Sequence, residues 1–269
     1  MKKIIKARYF KNHRLVRMII LSMALILFVL SSTYSNGWTT FLRPGVRLAE
    51  QAVVAYKTNN YSELETNNFI VRYRNTNHEI VNLVANTAES KYKVLADIFS
   101  HEFNNKIRLI IYEDQEDMMN ATLLKGERAP MGVYFGNTIH VHNPSKWIEE
   151  EADMESIFYS EGPVLHELAH LFTDHLARGN YPTWFTEGVS LYFEYSVDGY
   201  EWGKGVDIDE DIYTIKNLTE RFHELDTFNA YTQSFRLVKG FVNQNGEDAL
   251  IELIRSLGKG YKLDIKLFI

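Results

Sequence analysis

His166 and His170 stand four residues apart in the run Val164-Leu165-His166-Glu167-Leu168-Ala169-His170-Leu171-Phe172. On a helix that spacing puts both imidazoles on one face, one turn apart. The neighbours make such a helix apolar nearly all round, so it predicts a buried element. Buried histidines beside a buried glutamate need a partner, and a metal ion supplies one. Pro163, after Gly162, suits the first turn of this helix. Arg178-Gly179-Asn180 then reads as a turn, and Tyr181-Pro182 opens a second helix, on which Trp184-Phe185-Thr186-Glu187-Gly188 can bring a carboxylate back opposite the two histidines. The chain has no cysteine, which leaves only imidazole and carboxylate as metal ligands. The expected set is His166, His170 and Glu187 around one Zn2+, with one position open for water. Glu167, adjacent to a ligand, is the expected general base. Zinc lowers the pKa of its bound water towards ~7, and the carboxylate takes that proton and later delivers it to a leaving amine.

Around this pair the pattern predicts an α+β chain. Phe69–Tyr73, Ile107–Tyr112, Gly132–Phe135 and Thr138–His142 read as strands, with Gly136-Asn137 as a two-residue hairpin turn. Helical periodicity runs over Glu79–Ile98, and helices are expected over Gly45–Lys57, Gln115–Leu124 and Lys146–Phe158. From Pro163 onward all is helical: Pro163–Ala177, Thr183–Tyr195, Leu218–Leu225, Asn229–Asn243 and Glu247–Leu257. Asn36–Pro44 reads as a linker. The expected architecture is an N-terminal lobe with a small mixed sheet and helices (about 38–145), then a helical C-terminal lobe (about 146–269), with the zinc site in the cleft between them.

Charge is unevenly distributed. Residues 1–36 hold seven of the 29 Lys and Arg and none of the 35 Asp and Glu, which leaves a formal −13 on the rest. That excludes nucleic acid as a main partner. Behind the seven cations, Met18–Leu30 is an uncharged apolar run. The positive-inside bias puts the N-terminus in the cytoplasm and the remainder across the membrane. The run is short for a span and also suits a secretory signal. The following Ser-Ser-Thr-Tyr-Ser-Asn offers no good small-x-small cleavage site, which favours an uncleaved, single-pass anchor over secretion after cleavage. Residues 1–37 are thus a basic tail with one transmembrane or signal helix, and 38–269 are an extracytoplasmic domain.

At His166–His170 and at Pro182–Glu194, P-T-W-F-T-E-G-V-S-L-Y-F-E, the chain resembles the gluzincin metallopeptidases, in particular the peptidase MA-like domains related to a large aminopeptidase family. The resemblance implies a zincin-like fold, zinc-dependent hydrolysis of a peptide or protein substrate, His166, His170 and Glu187 as ligands, and Glu167 as base. It implies further that a tyrosine on a downstream helix stabilises the oxyanion, for which Tyr231 is the candidate. It also implies that an edge strand binds the substrate backbone, for which Thr138–His142 is the candidate. Met131-Gly132-Val133-Tyr134-Phe135-Gly136-Asn137 stands where the aminopeptidases carry G-x-M-E-N. An endopeptidase, or a peptidase of narrow specificity, is therefore expected rather than a general aminopeptidase. Such domains usually also continue beyond the point where this chain ends, at Ile269.

Other residues are candidates on spacing alone. Asp174 is four residues after His170, and Glu194 is seven after Glu187, so each is expected to orient a ligand histidine through its free ring nitrogen. His140 and His142 share one strand face and are candidates for substrate or second-ion contact. His175 is expected to be exposed, and Trp184 to pack between the two ligand helices. The competing readings are a catalytically idle zinc-binding module held at the membrane, and a zinc hydrolase of a non-peptide amide. A retained Glu167 favours catalysis, because a structural site needs no base.

Overall fold

Alternation along the strands decides how the molecule is layered. The computed structural model describes residues 37–124, 130–149, 153–206 and 212–268. Among these, β1 (Ser62–Glu65), β2 (Phe69–Tyr73), β3 (Ile107–Tyr112), β4 (Gly132–Phe135) and β5 (Thr138–His142) form one mixed sheet in the order β1-β2-β3-β5-β4. The outer pairs β1/β2 and β4/β5 are antiparallel, while β2/β3 and β3/β5 are parallel. The parallel step from β2 to β3 needs a crossover, which α2 (His78–Phe99) supplies. Asn77 starts α2 by accepting the Glu79 N–H at 3.0 Å. The turn between β4 and β5 has Gly136 and Asn137 both at positive φ, 60° and 55°, the type I′ geometry that suits two-residue hairpins.

Successive side chains point to opposite faces of the sheet. Phe69, Val71, Ile107, Leu109, Ile111, Ile139 and Val141 face the large core, shared with α2 and the C-terminal helices. Ile110 and Tyr112 face a second core with Val54 of α1 (Gly37–Lys57) and Met118 and Ala121 of α3 (Gln115–Thr122). The helical part follows as α4 (Met154–Glu161), α5 (Val164–Ala177), α6 (Thr183–Phe193), α7 (Ile215–Arg221), α8 (Thr227–Asn245) and α9 (Glu247–Gly258). α5 packs on α2, β4, β5, α6 and α9, so it is the wall between sheet and helices. After α6 the chain widens into a π-helical turn, Glu194–Asp198. The buried Lys91 of α2 is ion-paired to Asp198 at its end and lies 3.6 Å above the Tyr159 ring. The fold is α+β with a small mixed sheet and many helices.

Two expectations change. Asn36–Pro44 is not a linker from Gly37 onward: it is the first part of α1, with Pro44 inside the helix. The Gly and Pro signals are overridden because Arg43 and Arg47 are held by the buried Asp174 of α5, at 3.2 and 2.9 Å. β1 had no apolar alternation to announce it: Ser-Glu-Leu-Glu is largely exposed and is a strand because it pairs with β2. Met18–Leu30, and with it the anchor or signal, lies outside the described residues. Among the described residues no helix is long and apolar enough to cross a membrane.

Candidate metal centre

α5 presents His166 and His170 on the face turned towards α6, and α6 returns Glu187 to them. The two Nε2 atoms are 3.1 Å apart, and Glu187 Oε2 lies 3.4 Å from each. A tetrahedral zinc with bonds of ~2.0–2.1 Å separates its ligand atoms by about 3.3–3.4 Å. The three donors form nearly that triangle, and their chemistry, two imidazoles and a carboxylate, fits zinc. The residues present therefore fit the ion that the sequence implies.

The other ring nitrogen of each histidine is also engaged. His170 Nδ1 is 2.8 Å from Thr186 Oγ1, and His166 Nδ1 is 3.3 Å from Glu194 Oε2. With the proton on Nδ1, each Nε2 lone pair is left for the metal. Glu194 stands at the start of the π-helical turn, where the sequence reading expects a partner for a ligand histidine. Thr186 was not anticipated; its only signal is a hydroxyl immediately before the third ligand.

Electrostatics follow from this crowding. Burial opposes ionisation of Glu187, but His170 and His166 outweigh it and hold the carboxyl well below its ordinary range. Burial opposes charge on His166 too, but Glu194 and Glu187 raise its proton affinity. Glu167 goes the other way: burial raises it, and the two histidines only partly compensate. Burial, with Glu187 and Glu167 nearby, raises the Tyr231 phenol.

These groups line one cleft of about 720 Å³, together with Gly132 and Tyr134 of β4 and Arg43 of α1. β4 reaches the start of α5 closely only because residue 132 lacks a side chain. A Cβ there would sit 2.5 Å from Pro163 Cβ and 3.1 Å from Glu167 Cγ. The structure thus assembles His166, Glu167, His170, Glu187, Glu194 and Tyr231 around one space.

It does not bring the remaining candidates there. Thr138–His142 is not an edge strand, because β5 lies between β3 and β4 and is buried along its whole length. Ile139 and Val141 take the face towards α5, so alternation turns Thr138, His140 and His142 to the opposite face. His140 uses both ring nitrogens, on Tyr112 Oη at 2.9 Å and the Phe135 carbonyl at 3.2 Å, and burial lowers its pKa to about 4. The edge beside the cleft is β4. Asp174 does not orient a ligand histidine either. It is fully buried and bonded to Arg43, Arg47, Tyr134 Oη at 2.7 Å and Tyr181 Oη at 3.1 Å. His175 is half-buried rather than exposed, 2.5 Å from Asn137 Oδ1. Trp184 is buried, with its indole N–H donated to Thr219 at 3.0 Å and its ring against Phe268 near the chain end.

A model of the Peptidase MA superfamily matches residues 87–268, well over half of the chain. The chain belongs to the Peptidase MA superfamily. No curated protein matches it. Membership makes the function metallopeptidase-like, and the superfamily is typically metal-dependent. The superfamily match runs from within α2 to the last helical turn and contains both ligand helices, while α1, β1 and β2 precede it.

Proposed function

We propose that the chain is a zinc-dependent peptidase that hydrolyses peptide bonds outside the cytoplasm, held at the membrane by its N-terminal segment. The observation that carries the catalytic reading is the triangle of His166 Nε2, His170 Nε2 and Glu187 Oε2, with Glu167 and Tyr231 on the same cleft. Zinc held there would supply an acidified water and a Lewis acid for the scissile carbonyl. Glu167 accepts a proton at its carboxylate and returns it to the departing nitrogen. Its buried setting, which favours the protonated form, suits a group that must hold that proton between the two steps. The Tyr231 hydroxyl donates to the oxygen on which negative charge develops.

β4 provides the means of holding a peptide. The Met131 carbonyl accepts the His142 N–H at 2.9 Å, so residues 131, 133 and 135 bond inward to β5. The antiparallel alternation then turns the backbone groups of Gly132 and Tyr134 outward at the cleft, where an extended substrate can add as a further strand. An open groove of this kind suits an endopeptidase or a peptidase of narrow specificity. The placement outside the cytoplasm is supported by the seven cations that precede Met18–Leu30.

Glu167→Gln tests the mechanism. The variant keeps one zinc per chain by elemental analysis, while kcat for any peptide cleaved falls by about 10²–10⁴-fold. Unchanged turnover in a zinc-replete variant would falsify the assignment.

A further inference from the structure

One flank of the cleft is aromatic and, apart from the Tyr231 hydroxyl, is not used by the chemistry above. Tyr200, Trp202 and Tyr231 line it. Their rings run in series, 6.5 Å from Tyr200 to Trp202 and 6.0 Å from Trp202 to Tyr231. Phe228 adds a ring 5.8 Å from Trp202. Tyr200, on the cleft, is 45% exposed, and Phe228, behind Trp202, is 40% exposed, so these large rings lie outside the core. The Trp202 indole N–H is buried and has no hydrogen-bond partner among the described residues. Core packing does not account for such an arrangement.

The loop that carries Trp202 is held at three points to one face of α8. Gly203, at φ +68°, lies where a Cβ would come within 2.6 Å of the Thr232 methyl. The Val206 carbonyl accepts from Arg236 at 3.0 Å, and Glu201 is paired with Lys239 at 2.6 Å. Residues 232, 236 and 239 are neighbours along a helix surface. The same helix carries Tyr231, so the aromatic flank and the hydroxyl beside Glu187 form one rigid unit.

We propose that this flank is the specificity subsite: Trp202 and Tyr200 receive a bulky apolar side chain, of phenylalanine or leucine size, from the peptide residue next to the reacting bond. The proposal rests on the peptidase reading. Rings at these separations offer edge and face contacts to another apolar group. Tyr231, at the inner end of the flank, puts the subsite beside the carbonyl to be attacked. Glu161 and Glu194 line the same cleft and disfavour acidic side chains.

Two measurements separate this inference from the hydrolase reading. In the first, labelled alanine-rich hexapeptides, each with a single Phe, Leu or Asp placed at successive positions, are titrated onto zinc-loaded, full-length Glu167→Gln protein by fluorescence anisotropy. At one position Phe or Leu should tighten binding roughly tenfold or more over Ala. Adding Trp202→Ala should bring that ratio close to one, and Trp202→Phe, which keeps a ring, should retain part of it. Tyr200→Ala serves as a second probe that leaves Trp202 in place. The inference is overturned if no position prefers a bulky apolar residue, or if the preference survives Trp202→Ala in protein that melts cooperatively. It is equally overturned if glycan fragments, and not peptides, bind in a Trp202-dependent way. In the second, cleavage by the unaltered protein is followed on the same panel. A Phe preference in binding with no cleavage of any peptide would sink the hydrolase reading and leave the subsite standing.

Discussion

Two histidine pairs in this chain look alike on paper and end in opposite circumstances. His166 and His170 are four apart on a helix; His140 and His142 are two apart on a strand; each spacing places both rings on a common face. The α5 pair faces a cleft, and its Nδ1 atoms are occupied by Glu194 and Thr186, which leaves both Nε2 atoms converging with Glu187. The β5 pair faces away from that cleft, and His140 is held at both nitrogens by groups that do no chemistry. Spacing shows which side chains travel together. What they meet is decided by the layer on the other side of that face, which depends on strand order and not on the strand's own sequence.

The sharpest way to break this comparison is to delete one histidine from each pair. His170→Ala should reduce bound zinc from one per chain to near zero and remove cleavage with it. His140→Ala should leave the zinc content at one and cost about 1–3 kcal/mol of stability, because the buried Tyr112 hydroxyl and Phe135 carbonyl lose their partner. If His140→Ala also strips zinc, the two pairs are not separate in function.

A second contrast lies between two acids with the same expected role. Glu194 lies beside His166, whereas Asp174 anchors α1 through Arg43 and Arg47. Burial opposes charge on Asp174, but the two guanidiniums prevail and its pKa is lowered. A carboxyl with a depressed folded pKa contributes stability that is fully present above its unfolded value of about 3.9 and is lost as pH falls through the folded one. Asp174→Asn should therefore destabilise the protein at neutral pH by about 1.5–3 kcal/mol, since the half-buried Arg43 and Arg47 lose a charged hydrogen-bond partner, while Arg43 keeps Glu50. Its stability should also fall less steeply than the parent's on acidification below pH ~4. Denaturant melts across that range would show it, and parallel curves for parent and variant would contradict the anchoring role.

The smallest effect concerns Thr186. Replacing it with valine keeps the shape and removes the oxygen beside His170 Nδ1. Zinc affinity should weaken by about 10–100-fold, measured by competition with a chelator. An unchanged affinity would mean that the His170 tautomer is set in another way.

The strands β2 to β5 and the two ligand helices were legible because apolar periodicity and turn residues agree there. The convergence of His166, His170 and Glu187 was legible because a helix followed by a short turn and another helix leaves little freedom in where Glu187 can return. The same does not hold for contacts made across the sheet. Nothing near residue 138 reveals that β5 is flanked on both sides, since the order β3-β5-β4 arises from pairing over thirty or so residues of chain. Nothing near Asp174 reveals two arginines that lie more than a hundred residues earlier. Gly132 and Trp202 acquire their importance only through what packs against them, Pro163 and Glu167 in one case and the face of α8 in the other.

The wide turn at Glu194–Asp198 makes the number of residues there matter as much as their identity. A π-helical turn holds an extra residue in its circuit. Adding one more between Glu194 and the Gly199 cap, beyond the extra residue that the turn already absorbs, would swing everything beyond it by about 100°. Asp198 would leave Lys91, and Trp202 would leave the cleft, although no side chain had been altered. The segment works as a fixed-length spacer that tolerates new chemistry more readily than a change of count.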